Sequence, residues 1–425
     1  MTETTEQAKK SRKGWKIGVI ATVCALAVAG GVGAATAQTW NSSSNAASVA
    51  SDASDAQKPA NSDPSLAAPV IKPMTVGVTP TSGALQVNPA TPAVVKATNG
   101  TVKSVSLINN TSGADVKGAI SADGSTWTAS EQLKFDSGYT YKFTVVDQAN
   151  HETSKTQTFS TVPAANEADA SSYTPDGSVV GVGQPVQLTF SEPVLNKKAV
   201  EKAIKVTSTS GQTGAFRWYG DTMVRWRPAA FWKAGSTVTV DMKLFGVDFG
   251  NGQIGNFNKT ITMKIGDKQV LEADAANHVA KYYVNDKLVK TIPVTMGDER
   301  FPSASGYLVV LRDKQDPAVF KASTIGLKPG DPADYGVITV RHATRLSLSG
   351  EFIHQATDSA LPYIGVTNLS HGCIGMDAPN AKFMFDNFLF GSVVHVINSP
   401  NETIANDDGF GDWNVPFKSY ASGNG

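Results

Sequence analysis

The sequence predicts a mainly β protein. Two β-sandwiches in series precede a β-rich domain with one packed helix, all behind an N-terminal membrane-spanning helix or signal. Three observations carry this reading. From residue 73 to residue 265, apolar and polar residues alternate in short runs that turn pairs interrupt. Beyond residue 266 the strand pattern continues, with one helix signal where Asp377 precedes Pro379. A long uncharged run lies near the start of the chain. At 425 residues the chain is too long for one core, so several domains are expected.

Residues 1–16 form a basic tail with Lys9, Lys10, Arg12, Lys13 and Lys16. Residues 17–37 carry no charge; as a helix these 21 residues span about 30 Å, one hydrocarbon thickness. The basic flank places the tail in the cytoplasm and exports the rest. Ala35-Thr36-Ala37 also fits a signal-peptidase site, so a retained anchor and a cleaved signal both stay open. Residues 38–72 are rich in Ser, Ala, Asn and Asp. They cannot bury enough surface to offset their ordering entropy and read as a flexible linker. Lys+Arg and Asp+Glu both number 37, so no net field draws nucleic acid. A monomer is expected.

Residues 73–163 read as the first sandwich. Tyr139, Tyr141, Phe143 and Val145 alternate with Thr140, Lys142 and Thr144, marking a half-buried strand. Asn99-Gly100 and Asp123-Gly124 are hairpin signals. Size and spacing suit an immunoglobulin-like fold. Residues 165–265 repeat the style, with Phe216 and Trp218, Val224 and Trp226, then Val238, Val240 and Met242 alternating. Asn196 is expected to cap a short helix over Lys197 to Ile204. Trp218, Trp226 and Trp232 could stack sugars, but alternating aromatics in a sandwich are expected to be core. In residues 266–399, Lys281 to Leu288 reads as strand, turn, strand. A helix runs from Asp377 through Phe383, Phe385 and Phe388 to a stop at Gly391, and Val393 to Ile397 is a last strand. Residues 400–425 form a C-terminal segment.

The chemistry gathers in the third domain. Only two cysteines occur. Cys24, in the apolar run, reads as a small helix residue. Cys373 lies in Ser370-His371-Gly372-Cys373-Ile374-Gly375-Met376, outside the cell, where a lone thiol calls for an explanation. A thiol nucleophile needs a base, and imidazole is the usual one. His354 ends a strand-like run and can be held rigidly, so it is the better base. His371 sits at the turn beside the thiol, and Gly372 permits backbone N–H groups to approach an oxyanion. Of the other histidines, His151 sits in a polar turn without a partner nearby in sequence. His278 and His395 lie in strand-like runs, and His342 is ambiguous. Two further readings compete: zinc held by Cys373, His354 and His371, which lacks an evident fourth ligand, and a buried inert thiol.

His354, the loop to Ser370-His371, and Gly372-Cys373 together resemble the signature of the L,D-transpeptidases, the YkuD-type catalytic domain. Val294-Thr295-Met296-Gly297, leading to Ser303-Ala304-Ser305-Gly306-Tyr307, resembles that family's opening strands. Asp408 to Pro416 resembles the tail of the subgroup with upstream immunoglobulin-like domains. The resemblance implies that Cys373 attacks a peptidoglycan stem peptide. It implies that His354 is the base, oriented by a backbone carbonyl. Backbone amides around His371, Gly372 and Cys373, with Ser370 in support, would form the oxyanion hole. Neither cofactor nor metal is implied. The donor would be a tetrapeptide stem and the acceptor a side-chain amine of a neighbouring stem. Resolution of the acyl-enzyme by water would make the protein an L,D-carboxypeptidase instead, and loss of activity would leave a wall-binding protein. Three positions depart from the family pattern and bear on substrate contacts. Gly375 stands where Asn is usual, Gln355 where Ser is common, and Ile325 where a lid tyrosine is common. Asn in place of Gly375 is expected to be tolerated.

Overall fold

The computed structural model describes residues 72–423. The predicted span at 17–37, Cys24 and nearly all of the 38–72 segment lie outside the described residues. Among the described residues, no helix is long and apolar enough to cross a membrane.

The chain is mainly β, with three short α-helices among its described residues. Its first part packs two sheets face to face. One has the order Thr75–Thr79, Val94–Thr98, Thr126–Ala129, Gly118–Ile120; the other is Gly100–Asn109, Gly138–Asp147, Glu152–Ser160. Tyr139, Tyr141, Phe143 and Val145 all point inward, as their alternation predicts, and pack with Val95, Leu107, Trp127 and Phe159. Asp123-Gly124 does turn a hairpin, between the paired strands Gly118–Ile120 and Thr126–Ala129. Asn99-Gly100 does not. Asn99, at φ 59°, instead passes the chain from one sheet to the other. A turn-forming pair sets the local bend, but strand partners are chosen by distant residues.

The second part also stacks two four-stranded sheets. Trp218, Trp226 and Trp232 are all buried there, with Trp218 stacked on Phe190 and Trp226 on Trp232. They are core residues. The helix Lys197–Lys202 forms, but the Asn196 side chain makes no cap. Ile204 already belongs to the next strand, Ile204–Ser208, so the helix is shorter than the sequence suggests.

On strand Met223–Pro228, Val224 and Trp226 face the core, while Arg225 and Arg227 face the chain's C-terminal segment. Arg225 Nη1 donates to Asp412 Oδ2 at 2.7 Å. Arg227 lies between the rings of Trp413 and Tyr420 and donates to the carbonyls of Asp412 and Val415. Trp413 Nε1 donates to Gly183 O at 2.7 Å. The second sandwich and the C-terminal segment therefore share a buried polar and aromatic interface.

The third part is built on a five-stranded sheet. Its order is Lys287–Pro293, Val279–Val284, Gln269–Asp274, Val393–Ile397, Gly306–Val309. The predicted strand-turn-strand and the predicted last strand are both present. Asp377 caps the helix Ala378–Asn387 by accepting the Asn380 N–H at 2.9 Å. Lys314 Nζ donates to Phe388 O at 2.8 Å just past the helix's last residue, where helix carbonyls lack partners. That helix packs beside a second sheet, Lys314–Gln315, Ala343–Arg345, Phe352–Gln355, Ile374–Met376. A two-stranded ribbon, Ala318–Lys321 with Val337–Val340, stands next to it.

Candidate active site

The second sheet brings the chemistry together. Strands Phe352–Gln355 and Ile374–Met376 run parallel, with His354 opposite Gly375. Cys373 immediately precedes the second of these strands. Nonlocal pairing thus brings His354 and Cys373 to neighbouring strands, although a loop separates them in sequence. Both line a cavity of about 370 Å³, as do Ser370, His371 and Gly375. Its apolar wall includes Phe320 and Ile338, which face each other across the ribbon, and Leu369.

His354 is buried, and Phe320 meets its ring edge-on at 5.4 Å. Its Nδ1 lies 2.7 Å from the Gln355 carbonyl, which can only accept, so Nδ1 carries the proton and Nε2 the lone pair. Burial holds its pKa below the usual imidazole value. Cys373 is unpaired, and its Sγ donates weakly to Gly350 O at 3.7 Å. Burial, reinforced by the charge of Glu351, pushes its thiol up to about 12. Thiol and imidazole are both neutral at rest.

The His371 side chain is engaged by a neighbouring segment. Its Nε2 donates to Ala333 O at 3.0 Å, and its ring lies between Phe301 and Tyr335. The side chain thus fastens the segment that brings Tyr335 to the cavity wall. Ser370 Oγ donates to Cys373 O at 2.6 Å and accepts the Gly372 N–H at 3.2 Å, closing the turn from within. Gly372 adopts φ 111°, a conformation that other residues rarely hold. Its α-carbon faces the carboxyl of Glu351, 3.4 Å from where a Cβ would sit.

The three departures from the family pattern fall differently. Gln355 supplies the carbonyl that orients His354, while the residue also borders an adjoining groove with Arg341 and Asp358. Ile325 ends the short turn Ala322–Ile325 and does not line the cavity. Tyr335, later in the same segment, lines it instead. Only a lone aromatic in the turn-rich stretch Pro332-Ala333-Asp334-Tyr335-Gly336 could have pointed to it. Gly375 is closely confined: a Cβ there would come 2.9 Å from Thr295 Cγ2. Thr295 cannot readily turn that methyl aside, because its Oγ1 donates to Thr367 O and accepts the Leu369 N–H. The expectation that Asn fits at 375 is therefore corrected.

The remaining histidines lie elsewhere. His151 does have a near partner, Asp147, at 3.1 Å. His278 occupies a turn at φ 54° rather than a strand, and its ring contacts Asn368. His395 stacks on Tyr307, and His342 lies 3.0 Å from Asp316. Among the described residues, no three His, Cys, Asp or Glu side chains are arranged to hold a metal ion.

Two family models match the chain. One, described as a bacterial Ig domain, covers residues 84–248, and one described as an L,D-transpeptidase catalytic domain covers residues 268–396. The chain is similar to L,D-transpeptidase 2 of Mycobacterium tuberculosis, 36% identical over 81% of this chain and 83% of the relative. It is 31% identical to L,D-transpeptidase 5 of the same species, over 81% of this chain and 75% of that one. A solved structure of an L,D-transpeptidase from Mycobacterium smegmatis aligns over 54% of this chain and 98% of that chain. Identity there is 28% and the TM-score 0.46.

Proposed function

This chain belongs to the L,D-transpeptidase family, and from that premise we propose that it cross-links peptidoglycan through an acyl-enzyme on Cys373. The sulfur attacks the carbonyl of the third residue of a tetrapeptide stem. The amide C–N bond breaks, a thioester forms, and the terminal D-alanine leaves. The side-chain amine of a neighbouring stem then attacks the thioester and frees the sulfur. Passing through a thioester avoids direct amine attack on an unactivated amide.

The observation that supports this most is the pairing of a neutral thiol with a neutral imidazole in one cavity. With the thiol pushed up and the imidazole held down, an ion pair is disfavoured at rest. The proton therefore moves to His354 Nε2 as the sulfur attacks, and His354 returns it to the departing amine. The Gln355 carbonyl stabilises the imidazolium formed in between. The apolar Phe320 and Ile338 border the thioester's cavity, and apolar walls of this kind favour an amine acceptor by limiting access of water. We read residues 17–37 as the tether that holds this chemistry outside the membrane. The test is intact-mass analysis after exposure to a carbapenem, a ring that a thiolate opens. A single adduct that disappears in Cys373→Ser is expected; an adduct of unchanged yield on that variant refutes the assignment.

A further inference from the structure

The turn bearing Cys373 is held from behind by a residue that does not reach the cavity. Ser303 is 2% exposed, and its Oγ donates to Gly372 O at 2.7 Å. The same oxygen accepts the Gly297 N–H at 3.0 Å, so the hydroxyl proton is directed at Gly372. Ser399 in turn donates to the Ser303 carbonyl. The Gly372–Cys373 peptide is trans and planar, so its C=O and N–H point in opposite directions. With the C=O turned back to Ser303, the Cys373 N–H faces forward. Cys373, Ser370 and His371 line the cavity, while Ser303 and Gly372 do not. The Gly372 N–H is already directed at Ser370 Oγ. Glycine has no side chain to resist rotation of this peptide, so its orientation depends on outside contacts.

We propose that Ser303 is a positioning residue for acyl transfer: its hydroxyl fixes the Gly372–Cys373 peptide so that the Cys373 N–H meets the oxyanion formed on the attacked carbonyl. This rests on the acyl-transfer reading above. Two reactions of one thiol separate the role from simple structural support. Carbapenem acylation builds an oxyanion; alkylation by iodoacetamide builds none. Both rates are measured on the full chain for wild type, Ser303→Ala and Ser303→Thr, with Cys373→Ser as the blank.

Ser303→Ala is expected to lower the maximal acylation rate by roughly tenfold or more, short of the 10²–10³ lost with an oxyanion donor itself. The carbapenem concentration for half-maximal rate and the alkylation rate should hold. Ser303→Thr keeps the donor and should restore acylation. The proposal is overturned if Ser303→Ala acylates at the wild-type rate, or loses both reactions in parallel. It is equally overturned if Ser303→Thr alkylates normally yet acylates as slowly as Ser303→Ala. Wild type that is alkylated but never acylated would refute the acyl-transfer reading itself, and the Ser303 proposal with it.

Discussion

Glu351 places a titratable carboxyl directly behind the nucleophile's turn. Its Oε1 accepts the Ala304 N–H at 2.8 Å and faces the Gly372 α-carbon. Burial, with a smaller push from Asp408, raises its pKa from 4.5 to about 7. The fold therefore favours the protonated acid. This contribution is complete below pH 4.5, where folded and unfolded chains are both protonated, and is lost as the pH rises through about 7. At 1.36 kcal/mol per pH unit, the full loss is roughly 3 kcal/mol. Glu351→Gln keeps the shape and the acceptor but cannot ionise. Urea unfolding of the two proteins between pH 4.5 and 8.5 should show little difference at the acid end. At the alkaline end the variant should be more stable by roughly 3 kcal/mol. Because the Glu351 charge also raises the Cys373 thiol, iodoacetamide should react faster with the variant at pH 8. A stability difference independent of pH, or one that favours wild type as pH rises, would refute the reasoning.

Other perturbations have equally definite outcomes. His354→Ala should slow acylation by roughly two to four powers of ten. In wild type, the acid-side loss of rate should fall below the usual imidazole range, because burial keeps His354 in its base form there; single-turnover rates across pH check both. Gly375→Asn alone should impair acylation, since Thr295 Cγ2 occupies the needed space, and Thr295→Ser should restore it in the double variant. Additive loss in that double variant would argue against the steric account. Asp412→Ala leaves the buried Arg225 charge without its carboxylate and should cost roughly 3–5 kcal/mol, read by chemical denaturation.

Elements whose signals are local were legible in the sequence. The alternation of Tyr139, Tyr141, Phe143 and Val145 gave an inward face, and Asp377 with Pro379 gave the helix start. Val393–Ile397 forms as expected, although the helix before it ends at Asn387, short of the expected stop at Gly391. Features set by distant contacts were not. Asn99-Gly100 is a turn pair whether the flanking strands join each other or separate sheets. His354 and Cys373 were visible as residue types in a motif, but their shared cavity depends on a parallel strand pairing that no local pattern encodes. Glu351 and Tyr335 carried no signal for the same reason, and Ser303 and Thr295 were readable only as members of strand-like motif stretches, without their contacts. Ser303 reaches Gly372 across 69 positions and Glu351 reaches Ala304 across 47, and nothing in the type of either residue signals the contact. Arg225 and Arg227 alternate with the core residues Val224 and Trp226, and the C-terminal segment that buries them lies far along the chain.

The central claim is a thioester on Cys373 that lies on the path to cross-linking. Its most direct test is rapid-quench mass spectrometry of the protein with a disaccharide-tetrapeptide. The account predicts an adduct on the Cys373 peptide equal in mass to the donor less its terminal D-alanine. That adduct should decay at the rate at which the cross-linked dimer appears, and both should vanish in Cys373→Ser. Dimer formation by Cys373→Ser at the wild-type rate, or dimer appearing with no adduct at any time, would contradict it.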